Sequence, residues 1–229
     1  MILFDLDGTL AQTREASWRV FEQVSREFGL GINSADAFYA LSEKNLFKAI
    51  GEVCGDPELE ARVMDHFFTL LRTEYCPPMI PGMPEVVRRL ATRYPLAVLS
   101  SNAMSAIRRV LEEGGVAECF GHVFSGDVQP DKSESIQAVL SDCSYGLARP
   151  GTPAYDERTG AHHGDVIMIT DTVGDVREAV RVGCRVVGVS WGMHTPEQLR
   201  AAGAEFVAVW PEELLTYLSH TAPNTTGPA

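Results

Sequence analysis

Asp5-Leu6-Asp7-Gly8-Thr9 sets two carboxylates one residue apart, with a glycine and a hydroxyl next, directly after the apolar run Ile2-Leu3-Phe4. Two acids so placed suit nucleophilic attack by one and proton transfer by the other. A turn or helix N-cap uses the same residue types for local reasons, so the pair alone leaves both readings open. Two further runs shift the balance: Leu96-Ala97-Val98-Leu99 ends in Ser100-Ser101-Asn102, and Val166-Ile167-Met168-Ile169 ends in Thr170-Asp171-Thr172-Val173-Gly174-Asp175. Asp5, Asp7, Asp171 and Asp175 gathered in one place would repel one another without a cation. Oxygen ligands of this kind suit Mg2+, which takes one or two carboxylates, keeps several waters and binds substrate phosphate.

The elements that must gather these residues follow from periodicity. Short apolar runs at 2–4, 96–99, 166–169, 186–189 and 206–209, with a shorter one at His122-Val123-Phe124, alternate with helical spacings such as Val86/Val87/Leu90, Ile107/Val110/Leu111 and Val176/Ala179/Val180. That alternation predicts an α/β fold, a Rossmann-like parallel sheet with crossover helices, whose C-terminal strand ends face the ligand crevice. Pro196 and Pro211 suit the first turns of the last two helices. From Thr13 to Pro78 the rhythm changes to helix after helix, with Trp18/Phe21/Val24/Phe28 and Val63/Phe67/Leu70/Leu71 as stripes and no strand. The expected division is a core of residues 1–12 and 79–219, an inserted all-helical cap at 13–78, and a frayed polar tail at 220–229.

These motifs, in this order, resemble those of the haloacid dehalogenase superfamily phosphohydrolases that carry a helical cap, of which the phosphoglycolate phosphatases are one kind. The resemblance spans nearly the whole chain. It implies that Asp5 is the nucleophile, passing through an aspartyl-phosphate, and that Asp7 is first general acid and then general base. The carboxylate at Asp7 favours phosphoryl transfer over dehalogenation. Ser100 is expected to hydrogen-bond the phosphoryl group, with Ser101 the alternative if the strand runs one residue further. The family's lysine falls on Lys132, although the usual Lys-Pro-x-Pro reads Gln129-Pro130-Asp131-Lys132 here. Asp171-x-x-x-Asp175 matches the last motif, with Thr170 where a glycine is usual. The resemblance makes Asp171 and Asp5 Mg2+ ligands with the Asp7 carbonyl, and has Asp175 hold a metal-bound water or the lysine. Gly8, Thr9, Ser101 and Asn102 are expected at the phosphate, and Arg14 and Lys44 at an anionic leaving group.

Composition bounds the partners. Lys and Arg total 19 against 31 Asp and Glu, a net charge of −12, and no basic run forms a patch. Nucleic acid and anionic membrane are thereby disfavoured. No apolar run approaches the roughly 18 residues that a membrane span requires. The cysteines (Cys54, Cys76, Cys119, Cys143 and Cys184) are scattered without disulfide or metal spacing, which suits small buried hydrophobes in a reducing cytoplasm. His162-His163 falls in a long irregular stretch, 143–164, read as a solvated loop. Trp191 and Met193 are read as packing or loop cover. The expected protein is a cytoplasmic Mg2+-dependent phosphatase of a small phosphorylated metabolite, monomer or homodimer. A phosphomutase of the β-phosphoglucomutase type and a non-catalytic binding module are the alternatives.

Overall fold

A computed structural model describes residues 1–42, 46–129, 131–141 and 166–221. Lys44, Cys143 and His162-His163 lie outside the described residues.

Six parallel strands form one sheet in the order β3-β2-β1-β4-β5-β6. They are β1 (Ile2–Phe4), β2 (Leu96–Ser100), β3 (His122–Ser125), β4 (Ile167–Thr170), β5 (Arg185–Val189) and β6 (Phe206–Ala208). β1 lies between β2 and β4, pairing Leu3 with Ala97 on one side and with Met168 on the other. A strand covered on both faces must be apolar throughout, and all three β1 residues are buried. The chain runs outward from β1 to β3 and then outward again from β4 to β6. The switch point therefore falls between β1 and β4, the place where such sheets open a ligand crevice.

Every strand but β1 differs from the sequence expectation by one residue at one end or both. β2 and β4 each run on to a hydroxyl residue, because Ser100 pairs with Ser125 and Thr170 pairs with Gly188. Helices α7 (Lys132–Ser141), α8 (Val173–Arg181) and α9 (Pro196–Ala202) contribute Ile136, Val139, Val176, Ala179 and Leu199 to a shared core. The strands supply Leu3, Leu99, Met168 and Val186 to the same core. Helices α5 (Met83–Ala91), α6 (Met104–Glu113) and α10 (Pro211–Thr221) complete this unit. α10 runs through His220, which was expected to begin the tail, and the His220 ring nitrogen Nδ1 lies 2.7 Å from the Thr216 carbonyl one turn back.

Contacts divide the chain into two compact units, Met1–Ala11 with the residues from Pro78 onward, and Gln12–Pro77. The second unit consists of α1 (Thr13–Phe28), α2 (Ala35–Ser42), α3 (Leu46–Cys54) and α4 (Pro57–Thr73). Its centre is aromatic: Phe21 stacks on Phe38 at 4.8 Å and meets Phe67 edge-on at 5.6 Å. Of the predicted α1 stripe, Phe21 and Val24 are buried, while Trp18 and Phe28 pack against them from partly exposed positions. Gly29 ends α1 in the left-handed conformation, at φ 66°, as helix C-termini favour. Among the described cysteines only Cys184 is buried; Cys54, Cys76 and Cys119 are partly exposed.

Candidate active site

The Asp5 amide continues the ladder beyond β1 by donating to the Ile169 carbonyl at 2.9 Å. The chain then turns sharply, with the Leu10 and Ala11 amides both donating to the Leu6 carbonyl and the Gly8 amide to that of Ala11. Gly8 takes φ 74°, and a Cβ there would stand 2.3 Å from Asp171 Oδ2. Glycine is required on both counts, for backbone conformation and for room.

Asp5, Asp171 and Asp175 are 4%, 2% and 8% exposed. Lys132, the first residue of α7, places its Nζ 2.7 Å from both Asp5 Oδ1 and Asp175 Oδ2. Its helix is started by Asp131, whose Oδ1 accepts from the Ser133 amide at 2.8 Å and from its hydroxyl at 2.6 Å. Asp175 also accepts from the Thr170 hydroxyl at 2.9 Å, and its amide donates to Thr172, the N-cap of α8. Asp175 thus faces the lysine, one of the two roles the resemblance offered it. The other Asp5 oxygen, Oδ2, accepts no hydrogen bond among the described residues.

Asp7 is approached from the end of β2. Asn102 Nδ2 donates to Asp7 Oδ2 at 2.6 Å, and Ser100 Oγ lies 3.4 Å from the same oxygen. Although β2 runs one residue further than expected, the hydroxyl that reaches Asp7 is that of Ser100; Ser101 is exposed. The loop after β3 supports this turn. Gly126 donates its amide to the Asn102 carbonyl, and a Cβ at Gly126 would stand 2.2 Å from the Ser101 carbonyl oxygen.

Thr9, expected at the phosphate, is fully buried, and its hydroxyl donates to Asp171 Oδ1 at 3.2 Å. Arg14 belongs to the helical unit, where its guanidinium lies 4.4 Å over the Tyr39 ring. Several contacts at this site had no sequence signal. Thr170 holds Asp175, the Met193 amide donates to Asp171 Oδ2 at 2.7 Å, and the Trp191 indole donates to the Thr9 carbonyl at 3.1 Å. Only the Trp191 type hinted at a role, and a main-chain amide has no residue signature.

Charge at the site is unbalanced. Burial pushes the Asp5 carboxyl up, Lys132 opposes it, and Asp175, Asp171 and Asp7 push it further. Burial pushes Asp171 up to about 6. For Lys132 burial acts downward, yet Asp5 and Asp175 outweigh it and hold the ammonium charged. One ammonium among Asp5, Asp7, Asp171 and Asp175 leaves net negative charge in a desolvated place, which costs stability unless a cation compensates. The donors are hard oxygens without sulfur, a chemistry that fits Mg2+. Among the described residues no three His, Cys, Asp or Glu side chains form a ready cage. Two carboxylates with water completing the shell is the usual Mg2+ arrangement, so the residues present fit that ion and not a closed structural site.

Comparison with known proteins bears on the family and the fold. The sequence is 28% identical over 216 residues to "Probable phosphatase IndB" of Dickeya dadantii, covering 90% of this chain and 88% of that one. It is 26% identical over 220 residues to the phosphoglycolate phosphatase of Synechococcus elongatus, covering 93% and 94%. A haloacid dehalogenase-like family hydrolase from Streptococcus pneumoniae shares the fold, with a TM-score of 0.75 at 19% identity over 95% of this chain and 97% of that one. The family model for haloacid dehalogenase-like hydrolases matches residues 2–189, from the first residue of β1 to the last of β5. With so much of the chain matched, every strand end that supplies the acid cluster falls inside the shared region, and the chain belongs to the haloacid dehalogenase-like hydrolases.

Proposed function

We propose that the protein is a Mg2+-dependent phosphatase of a small phosphate monoester, acting through an aspartyl-phosphate on Asp5. The observation that carries this reading is the asymmetry of the Asp5 carboxylate, with Oδ1 pinned by Lys132 and Oδ2 without a donor among the described residues. An oxygen held in place and still able to attack is what nucleophilic catalysis needs. The names of the Dickeya and Synechococcus relatives support phosphate-ester chemistry.

In the first step Asp5 Oδ2 bonds to phosphorus while the bond from phosphorus to the ester oxygen breaks. Asp7, as the acid, gives its proton to that oxygen and an alcohol leaves. In the second step the Asp7 carboxylate takes a proton from water. The water oxygen bonds to phosphorus, the bond to Asp5 breaks, and inorganic phosphate leaves. Lys132 and Ser100 hold the transferring group, and Asn102 orients Asp7. The carboxylates of Asp5 and Asp171 and the Asp7 carbonyl would hold the ion, with Asp175 keeping Lys132 in place. Mg2+ supplies charge neutralisation and Lewis-acid polarisation when bound. The helical unit, residues 12–77, serves as the cap that selects the leaving group, with Arg14 and Lys44 the positions to substitute.

The test is phosphate release from an aryl phosphate and from a panel of phosphate esters with Mg2+ present. Activity is expected in the wild-type chain and absent in Asp5→Asn; retention in that variant overturns the mechanism. Faster isomerisation than phosphate release on sugar phosphates would point to a mutase instead. Inactivity across the panel would point to a binding module.

A further inference from the structure

The loop that follows β5 and the turn that follows Asp5 both close on the Asp171 carboxylate. Oδ1 accepts from the Thr9 hydroxyl at 3.2 Å and Oδ2 from the Met193 amide at 2.7 Å, so the carboxylate cannot rotate without breaking both bonds. The His194 amide donates to the Asp171 main-chain carbonyl at 3.2 Å, fixing the backbone as well. Between these donors Gly192 passes so close that a Cβ would stand 2.1 Å from Asp171 Cβ. The Trp191 indole then donates to the Thr9 carbonyl at 3.1 Å. The contacts close a ring, from Trp191 to Thr9, from Thr9 to Asp171, and back through Met193 to the same loop.

We infer that Trp191-Gly192-Met193, braced on Thr9, is a positioning clamp that aims Asp171 and thereby sets the Mg2+ affinity of the site. Each Asp171 oxygen spends one lone pair on a donor and keeps a second for a cation, in an orientation fixed before any ion arrives. Groups that orient a metal ligand in this way typically account for roughly 10- to 100-fold in metal affinity. The inference deepens the phosphatase reading and rests on it, because it takes Mg2+ as the ion at Asp171.

Calorimetric titration of the full chain with Mg2+ alone tests it. Trp191→Phe keeps a ring and removes the donor, and Thr9→Val keeps the shape and removes the hydroxyl. Each is expected to raise the Mg2+ Kd by about 10- to 100-fold, and Thr9→Ser to restore it. The half-saturating Mg2+ concentration for aryl phosphate hydrolysis is expected to rise in step, with the KM for the ester unmoved. Wild-type Mg2+ binding with the same Kd in both variants overturns the clamp alone. A lower metal-free Tm with an unchanged Kd also overturns it, since that is the mark of a purely structural role. Absence of Mg2+ binding by the wild-type chain overturns the phosphatase reading and the clamp together. Should Thr9→Val not fold, Trp191→Phe decides between these outcomes.

Discussion

Asn102 and Lys132 show how single side chains divide the work of the acid cluster. Asn102 holds Asp7 by one 2.6 Å bond, and a hydrogen bond to a charged group contributes about 1.5–3 kcal/mol. Asn102→Ala is therefore expected to lower kcat roughly 10- to 100-fold for an aryl phosphate, measured by steady-state kinetics at saturating Mg2+. Lys132 is held between Asp5 and Asp175, with its side chain 11% exposed. Removing one partner of a buried ion pair typically costs about 3–5 kcal/mol. Metal-free Lys132→Met should show that loss in denaturant unfolding and should also be inactive. Cys184 offers a control away from the site, because burial pushes its thiol up to about 12. A group raised this far is almost wholly protonated at pH 8, and the thiolate is the reactive form. Native Cys184 should escape iodoacetamide while Cys119, more exposed, is labelled, as read by peptide mass mapping. The four acids were legible in the sequence because they follow the apolar runs of β1 and β4 directly, whereas Lys132 opens a helix and was reached only through the resemblance. The role of Thr9 was not, since a hydroxyl in a motif looks the same whether it faces a ligand or a neighbouring acid.

At the scale of the element, the strand ends make the site and the loops after them keep it in shape. Periodicity located all six strands and the stripes of α1 and α4, but it gave no stripe for α2 and ended β2, β3 and β4 one residue early. Ser100 and Thr170 are polar, so hydropathy stops there, whereas the ladder continues to Ser125 and Gly188. Those two added residues carry the hydroxyls that reach Asp7 and Asp175. Glycines at which a Cβ meets backbone or a short acid mark the tightest approaches. Gly126→Ala must push the Ser101 carbonyl away from a 2.2 Å contact. Loss of activity is expected there, with a lowered Tm by calorimetry. Gly29→Ala forces a side chain into the left-handed region with nothing within 4 Å to collide with. The cost should be strain alone, about 1–2 kcal/mol in denaturant unfolding.

Over the whole molecule, net charge and site charge act on different partners. The value of −12 counts every charged residue of the chain, whereas the site concentrates buried acids beside one lysine. Removing divalent ions should therefore destabilise the chain as well as silence it. At a Mg2+ concentration of 100 times Kd, binding contributes about 2.7 kcal/mol, which should appear as a higher Tm by scanning calorimetry than in chelator. Among the described residues no helix is long and apolar enough to cross a membrane. The position of β1 at the centre of the sheet also has a consequence for synthesis. Ile2 pairs with Leu96 on one side and with Ile167 on the other. The second partner is made 167 − 2 = 165 residues later. At synthesis rates of about 5–20 residues per second, this apolar strand waits on the order of 10–30 seconds for that neighbour. Until then Asp5 lacks Asp171 and Asp175, which follow β4, so on the proposed mechanism a nascent chain is catalytically silent until β4 joins the sheet.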